Sequence, residues 1–290
     1  MKFVREHPVA TFFALALALS WALWIPGFLL LSGDVSTALV IVGSFGPAVA
    51  GVILTKARGR SVRTWLREMA RFRVGARWWA VAVGVPVGIT VVSTVVYATW
   101  VGPLDLSTLS RRVPMWLVGF LVISLVGGGN EEPGWRGYAL PNLQRRYSAL
   151  TASIIIGLVW ALWHLPLFVL PSGLYAGKPF SLYAPMVVTF SVLTTWVYNS
   201  TEGSVPVLMV LHAGFNSMGA LVPVPLSNQG SGTMASWNVA VVLGCGVLLA
   251  LVVVLYYGPE TLSKGEKPTA GAVERSSTEN GRELGEPADD

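Results

Sequence analysis

The sequence predicts an all-α fold, a polytopic membrane helix bundle of about eight transmembrane helices. Three observations carry this. The 290 residues are 53% hydrophobic and only 12% charged, whereas soluble domains carry about 25% charged residues. Apolar runs of the roughly 20 residues needed to cross a bilayer recur along the whole chain. Twelve Trp suit anchoring at the two interfaces. The lone cysteine, Cys245, excludes an intrachain disulfide.

Eight runs qualify: about 8–31, 36–55, 78–101, 113–129, 147–170, 181–199, 204–222 and 235–257. Lys2 and Arg5 precede the first, but that run is long and lacks a small-residue cleavage site, so it reads as a retained anchor. After the second, Lys56, Arg58, Arg60, Arg63, Arg67, Arg71, Arg73 and Arg77 oppose a single acid, Glu68. The positive-inside rule makes this loop cytoplasmic. Counting spans in both directions then puts the N- and C-termini in the cytoplasm, and the expected location is the cell (inner) membrane. Arg111 and Arg112 fall outside, against the rule. Within the loop, Val62, Trp65, Leu66, Met69 and Phe72 recur at helical spacing opposite Arg60, Arg63, Arg67 and Arg71. That pattern predicts an amphipathic helix on the inner leaflet.

Charge divides the chain. Residues 1–257 hold 16 basic and 7 acidic residues, and residues 258–290 hold 4 and 8. The chain therefore divides into N-terminal transmembrane helices (1–112) with the basic loop 56–77, a membrane core (113–222), a last transmembrane helix (223–257) and an acidic cytoplasmic tail (258–290). The tail is too poor in apolar residues to fold alone and is expected to be disordered. No nucleic-acid motif accompanies the basic excess, which instead suits anionic lipid.

The core is organised around residues 127–138, Gly-Gly-Gly-Asn-Glu-Glu-Pro-Gly-Trp-Arg-Gly-Tyr. Carboxylates at membrane depth are costly and usually serve an ion, a proton or a substrate. Pro133 cannot donate to the carbonyl of Gly129, so the fourth helix should break near Asn130. Asn130 is then a natural helix cap, with Glu131 and Glu132 in the first turn. Arg136 lies one helical turn beyond Glu132 and can pair with it, leaving Glu131 as a base. His212 and Asn216 share one helix face and can both donate to a developing oxyanion. His164, alone in its apolar run, is weaker evidence. Each of these groups also has a structural explanation, as an ion-pair cluster or an interhelical hydrogen bond. Their convergence from three spans favours one polar centre.

Other intramembrane chemistries are excluded. Asp34 and Asp105, the aspartates that precede the tail, fall in loops, so an aspartyl pair is absent. No His-Glu-x-x-His or Gly-x-Ser-x-Gly occurs. Ser44 reads as a packing residue at a close helix contact, and Cys245 as a buried filler.

These segments resemble the CPBP family of intramembrane proteases, which includes CAAX prenyl endopeptidases and bacteriocin-related relatives. The family's Glu-Glu-x-x-x-Arg is matched by Glu131-Glu132-Pro-Gly-Trp-Arg136, and its His-x-x-x-Asn by His212-Ala-Gly-Phe-Asn216. Its Phe-x-x-x-His is matched by Trp160-Ala-Leu-Trp-His164, with Trp in place of Phe. The likeness covers roughly 113–222 and implies an endopeptidase acting on a membrane-associated protein or peptide. Glu131 with His164 would activate water, and His212 with Asn216 would hold the oxyanion. Glu132 and Arg136 would shape the site. A glutamic mechanism needs no cofactor; a zinc-based one would use Glu131, His164 and His212 as ligands. The competing readings are a proton- or ion-coupled transporter and a catalytically silent peptide-binding immunity or scaffold protein. The inverted repeats that many transporters show are not evident.

The topology is testable. With Cys245→Ala as background, a cysteine placed at position 270 is expected to resist an impermeant maleimide in intact cells and to react once the membrane is opened. Labelling from outside would invert the assignment.

Overall fold

The computed structural model describes residues 6–223 and 236–270, and among these every regular element is helical. In chain order the α-helices are α1 (Pro8–Leu30), α2 (Gly33–Gly43), α3 (Gly46–Ala57), α4 (Val62–Met69), α5 (Ala76–Val96) and α6 (Leu109–Leu125). Then come α7 (Glu132–Gly134), α8 (Leu140–Leu143), α9 (Ala149–Trp163), α10 (Leu165–Val169), α11 (Phe180–Ser200), α12 (Val205–Ser217) and α13 (Ser236–Tyr257).

Seven helical stretches among the described residues are long and apolar enough to cross a bilayer. The eighth run expected from the sequence is the shorter Val205–Leu221. The outer surface is oily: Trp100 is 82% exposed and Leu255 84%. Such exposure marks an interaction surface, and here the surrounding medium is lipid. The protein is an integral membrane bundle. α1 packs on α2 and α3, α11 runs between α9 and α13, and α12 lies between α5 and α6.

Prolines in the second and fourth spans each free a backbone carbonyl, and each carbonyl is satisfied from elsewhere in the fold. Pro47 has no N–H to donate to the carbonyl of Gly43 one turn earlier. Ser20 Oγ of α1 donates to that carbonyl instead, at 2.7 Å. Ser20 Oγ in turn accepts from Trp163 Nε1 at 2.7 Å. Pro141 likewise leaves the Gly137 carbonyl without its helical donor. Trp65 Nε1 of α4 fills the place at 2.9 Å. In hydrocarbon an unsatisfied carbonyl costs several kcal/mol, roughly, so these side chains maintain the breaks.

That second repair adds a protein contact to the expectation for the basic loop. Its amphipathic helix is present, capped by Ser61 Oγ accepting from the Thr64 N–H. However, Trp65 and Met69 are buried in protein, while Leu66 and Phe72 are exposed. Met69 Sδ would lie 2.8 Å from a Cβ at position 137, so the absence of a side chain at Gly137 permits the close approach. The helix is docked on the bundle through half of its apolar face.

The chain after the last span also differs from the expectation of disorder from residue 258. Leu262 is fully buried against Val192, Leu193 and Val253. The Glu260 and Pro259 carbonyls accept from the N–H groups of Ala149 and Leu150, donors that α9 leaves without intrahelical partners. Gln144 and Asn199 bond each other and the carbonyls of Pro268 and Thr261. One buried leucine and a set of backbone acceptors thus hold in place a stretch poor in apolar side chains. Residues 271–290 of the tail, and Lys2 and Arg5, lie outside the described residues.

Ser20→Ala is expected to lower stability by about 1–3 kcal/mol, because it orphans a buried carbonyl and a buried indole N–H together. Unfolding in detergent, with Ser110→Ala on the exposed surface as reference, measures it.

Candidate active site

The fourth span comes apart where three glycines meet Pro133. α6 ends at Leu125, Val126 is extended, and Gly127 has φ +89°, which favours glycine. The chain resumes as a 3-10 turn, Gly129–Glu131, then α7, a π-helical turn Trp135–Ala139, and α8. Asn130 does not cap this restart. Its Oδ1 accepts from the upstream Gly127 and Gly128 N–H groups at 2.7 and 2.9 Å. The donors freed by the break lie before the amide, so the amide turns back to them. Its Nδ2–H donates to Ser44 Oγ at 3.0 Å, tying the turn to the junction of α2 and α3.

Glu132 and Arg136 are fully buried. Arg136 Nη1 donates to Glu132 at 3.2 Å, and Nη2 donates to Thr194 Oγ1 of α11 at 2.6 Å. Glu132 Oε1 also lies 2.7 Å from His212 Nδ1. One carboxylate therefore faces a guanidinium on its own segment and an imidazole on α12. With Nδ1–H directed at Glu132, the orientation of the His212 ring is set from behind. The pairing of Glu132 with Arg136 is present; its link to His212 has no sequence signal, because 80 residues separate the two.

Glu131 points elsewhere. Its Oε2 accepts from Trp160 Nε1 at 2.7 Å. His164 caps the C-terminal end of α9, with Nδ1 2.8 Å from the Trp160 carbonyl oxygen. A carbonyl can only accept, so the proton sits on Nδ1 and Nε2 carries the lone pair. Asn216 lies one turn beyond His212 on α12, and its Nδ2–H donates to the Gly127 carbonyl at 3.3 Å.

Glu131, His164, His212 and Asn216 all line one cavity of about 640 Å³. Glu132 and Arg136 lie behind its wall. Its remaining surface is largely apolar, with Trp163, Tyr183 and Phe190 among the lining residues. Tyr175, in the loop 170–179, also lines it, and burial pushes its hydroxyl up to about 12, so it remains a neutral donor near neutral pH.

Among the described residues no three His, Cys, Asp or Glu side chains are grouped to hold a metal ion. His212 and Glu131 bond Glu132 and Trp160 in addition to facing the cavity.

Two supporting positions escaped the sequence reading. Thr194 belongs to a buried polar stripe on α11 with Ser191, Thr195 and Asn199. Its helical spacing was a legible signal. Trp160 reads as an aromatic neighbour, yet its indole supplies a hydrogen bond that a phenyl ring cannot.

Residues 113–218 match a family model described as Type II CAAX prenyl endopeptidase Rce1-like. A protein described as CAAX prenyl protease 2, from Methanococcus maripaludis, is 32% identical over 104 residues. That alignment covers 33% of this chain and 37% of the relative, so the chain spans well under half the length of the curated relative it matches. The matched segment contains all three motifs, which bears out their resemblance to the CPBP family.

Removing Arg136 leaves the Glu132 carboxylate buried without its guanidinium. Arg136→Ala is therefore expected to cost roughly 3–5 kcal/mol. The double variant with Glu132→Gln should recover part of that loss, as read by unfolding in detergent.

Proposed function

We propose, taking the CPBP likeness of residues 113–218 as the premise, that this chain is an intramembrane endopeptidase with a glutamic mechanism. It hydrolyses a peptide bond in a membrane-associated protein or peptide. The observation that carries this reading is the meeting of Glu131, His164, His212 and Asn216 in the wall of one cavity.

Glu131 takes a proton from water as the water oxygen attacks the scissile carbonyl. His164 holds the same water through the Nε2 lone pair, because its Nδ1 proton is committed to the Trp160 carbonyl. The tetrahedral oxyanion accepts from Asn216 Nδ2–H and His212 Nε2–H. To donate at Nε2 while Nδ1–H faces Glu132, His212 carries both protons, with Glu132 as the counter-charge. When the C–N bond breaks, Glu131 returns its proton to the leaving amine. One water is consumed, and an acid and an amine are formed. The apolar cavity wall suits a substrate presented from lipid.

The test is incubation of the purified protein with membrane proteome, followed by mapping of new protein termini. Glu131→Gln is expected to abolish new termini while leaving the unfolding midpoint nearly unchanged. Asn216→Ala should slow cleavage by about 10²–10³-fold, the usual effect of losing one oxyanion donor. Cleavage should persist in EDTA. Full activity in both variants would sink the mechanism. Absence of cleavage by the unmodified protein would favour a transporter or peptide-binding protein.

A further inference from the structure

Trp160 touches four polar groups of the site, Glu131, Arg136, His164 and His212. Its Nε1–H donates to Glu131 Oε2 at 2.7 Å, and its carbonyl accepts from His164 Nδ1–H at 2.8 Å. Its ring meets the His212 ring edge-on, with centroids 5.3 Å apart. The Arg136 guanidinium carbon sits 4.5 Å from the Trp160 ring centroid. Phe190 of α11 packs against the same ring at 5.6 Å. The side chain is buried, and its contacts come from the broken fourth span, α11 and α12.

We infer that Trp160 is the positioning residue for the water-activating pair, holding the Glu131 carboxylate through its indole N–H and the His164 ring through its carbonyl. The inference rests on the endopeptidase reading above and adds a residue to it.

The last torsion of a glutamate is broad, so the carboxylate plane is poorly set by its own rotamer. One short bond to Oε2 fixes that plane. The donor is itself immobile, because Arg136 covers one face of the ring and His212 and Phe190 bound it. An indole N–H can only donate, so it never competes for the proton that Glu131 must accept. The same residue orients both members of the pair, so their separation is set by one rigid group. Precision of this kind separates a productive general base from a carboxylate that is merely nearby.

A simple packing role for Trp160 predicts that any flat ring of the same size suffices. Replacement of Trp160 by benzothienylalanine tests this, because sulfur replaces N–H while size and aromatic contacts remain. Trp160→Phe is the natural-residue counterpart. The reporter is a peptide spanning a cleavage site mapped with the unmodified protein, presented in detergent micelles. Both variants are expected to lose about 10- to 100-fold in kcat, the effect of deleting one hydrogen bond to a charged group. KM should stay within about twofold, and the benzothienylalanine protein should keep its unfolding midpoint. Unchanged kcat with benzothienylalanine overturns the inference.

A second readout needs no substrate. In protein labelled with ¹⁵N at the tryptophan indoles, one resonance disappears in Trp160→Phe. That resonance should move in Glu131→Gln, and its failure to move overturns the proposed contact. If the unmodified protein cleaves nothing, the endopeptidase reading fails, and the resonance comparison alone decides whether Trp160 holds Glu131.

Discussion

A carboxylate with no exposed surface, set within an apolar bundle, must find cationic or hydrogen-bonding partners. Glu132 finds Arg136 on its own segment and His212 on α12, while Arg136 reaches Thr194 on α11. Taking such charges out of water costs several kcal/mol per ion, roughly, and the attraction repays this only with good geometry. The cluster is therefore weak evidence of a net gain in stability. It does prescribe position, because displacing α11 or α12 would strand a buried charge. The ring of His212, and with it the face of α12 that carries Asn216, is set by this constraint.

The same demand for satisfied polar groups explains the irregular backbone. Non-helical chain survives at membrane depth only where protein or a cavity meets its hydrogen-bonding needs. Pro47 and Pro141 each free a carbonyl, and Ser20 and Trp65 fill them. Asn130 fills the donors exposed by the glycine run. These repairs come from α1, the docked basic helix and the broken span itself. Elements remote from the chemistry thereby hold the turn that presents Glu131.

With the break maintained, the two neighbouring carboxylates diverge. Glu132 turns inward to the ion-pair cluster and Glu131 turns to Trp160 and the cavity. Their adjacency in sequence thus yields two environments within one turn of chain. Division of labour between neighbouring carboxylates, one held in a structural pair and one at the cavity wall, follows from which side of the turn each occupies.

Composition and apolar periodicity were enough to establish a helical membrane bundle, because a bilayer demands long apolar runs whatever their partners. Local chemistry was equally readable. The spacing of Glu132 and Arg136 and of His212 and Asn216 is a property of one helix, and the break near residue 130 follows from Gly and Pro alone. Direction was not readable. Asn130 turned upstream instead of capping, Trp65 and Met69 turned to protein, and residues 258–270 were ordered by the burial of Leu262 together with backbone acceptors that no hydropathy scale registers. The bonds from His212 to Glu132 and from Trp160 to Glu131 join segments 80 and 29 residues apart. Such contacts depend on how spans pack and rotate against one another, and that is decided by the complete set of buried polar groups seeking partners at once.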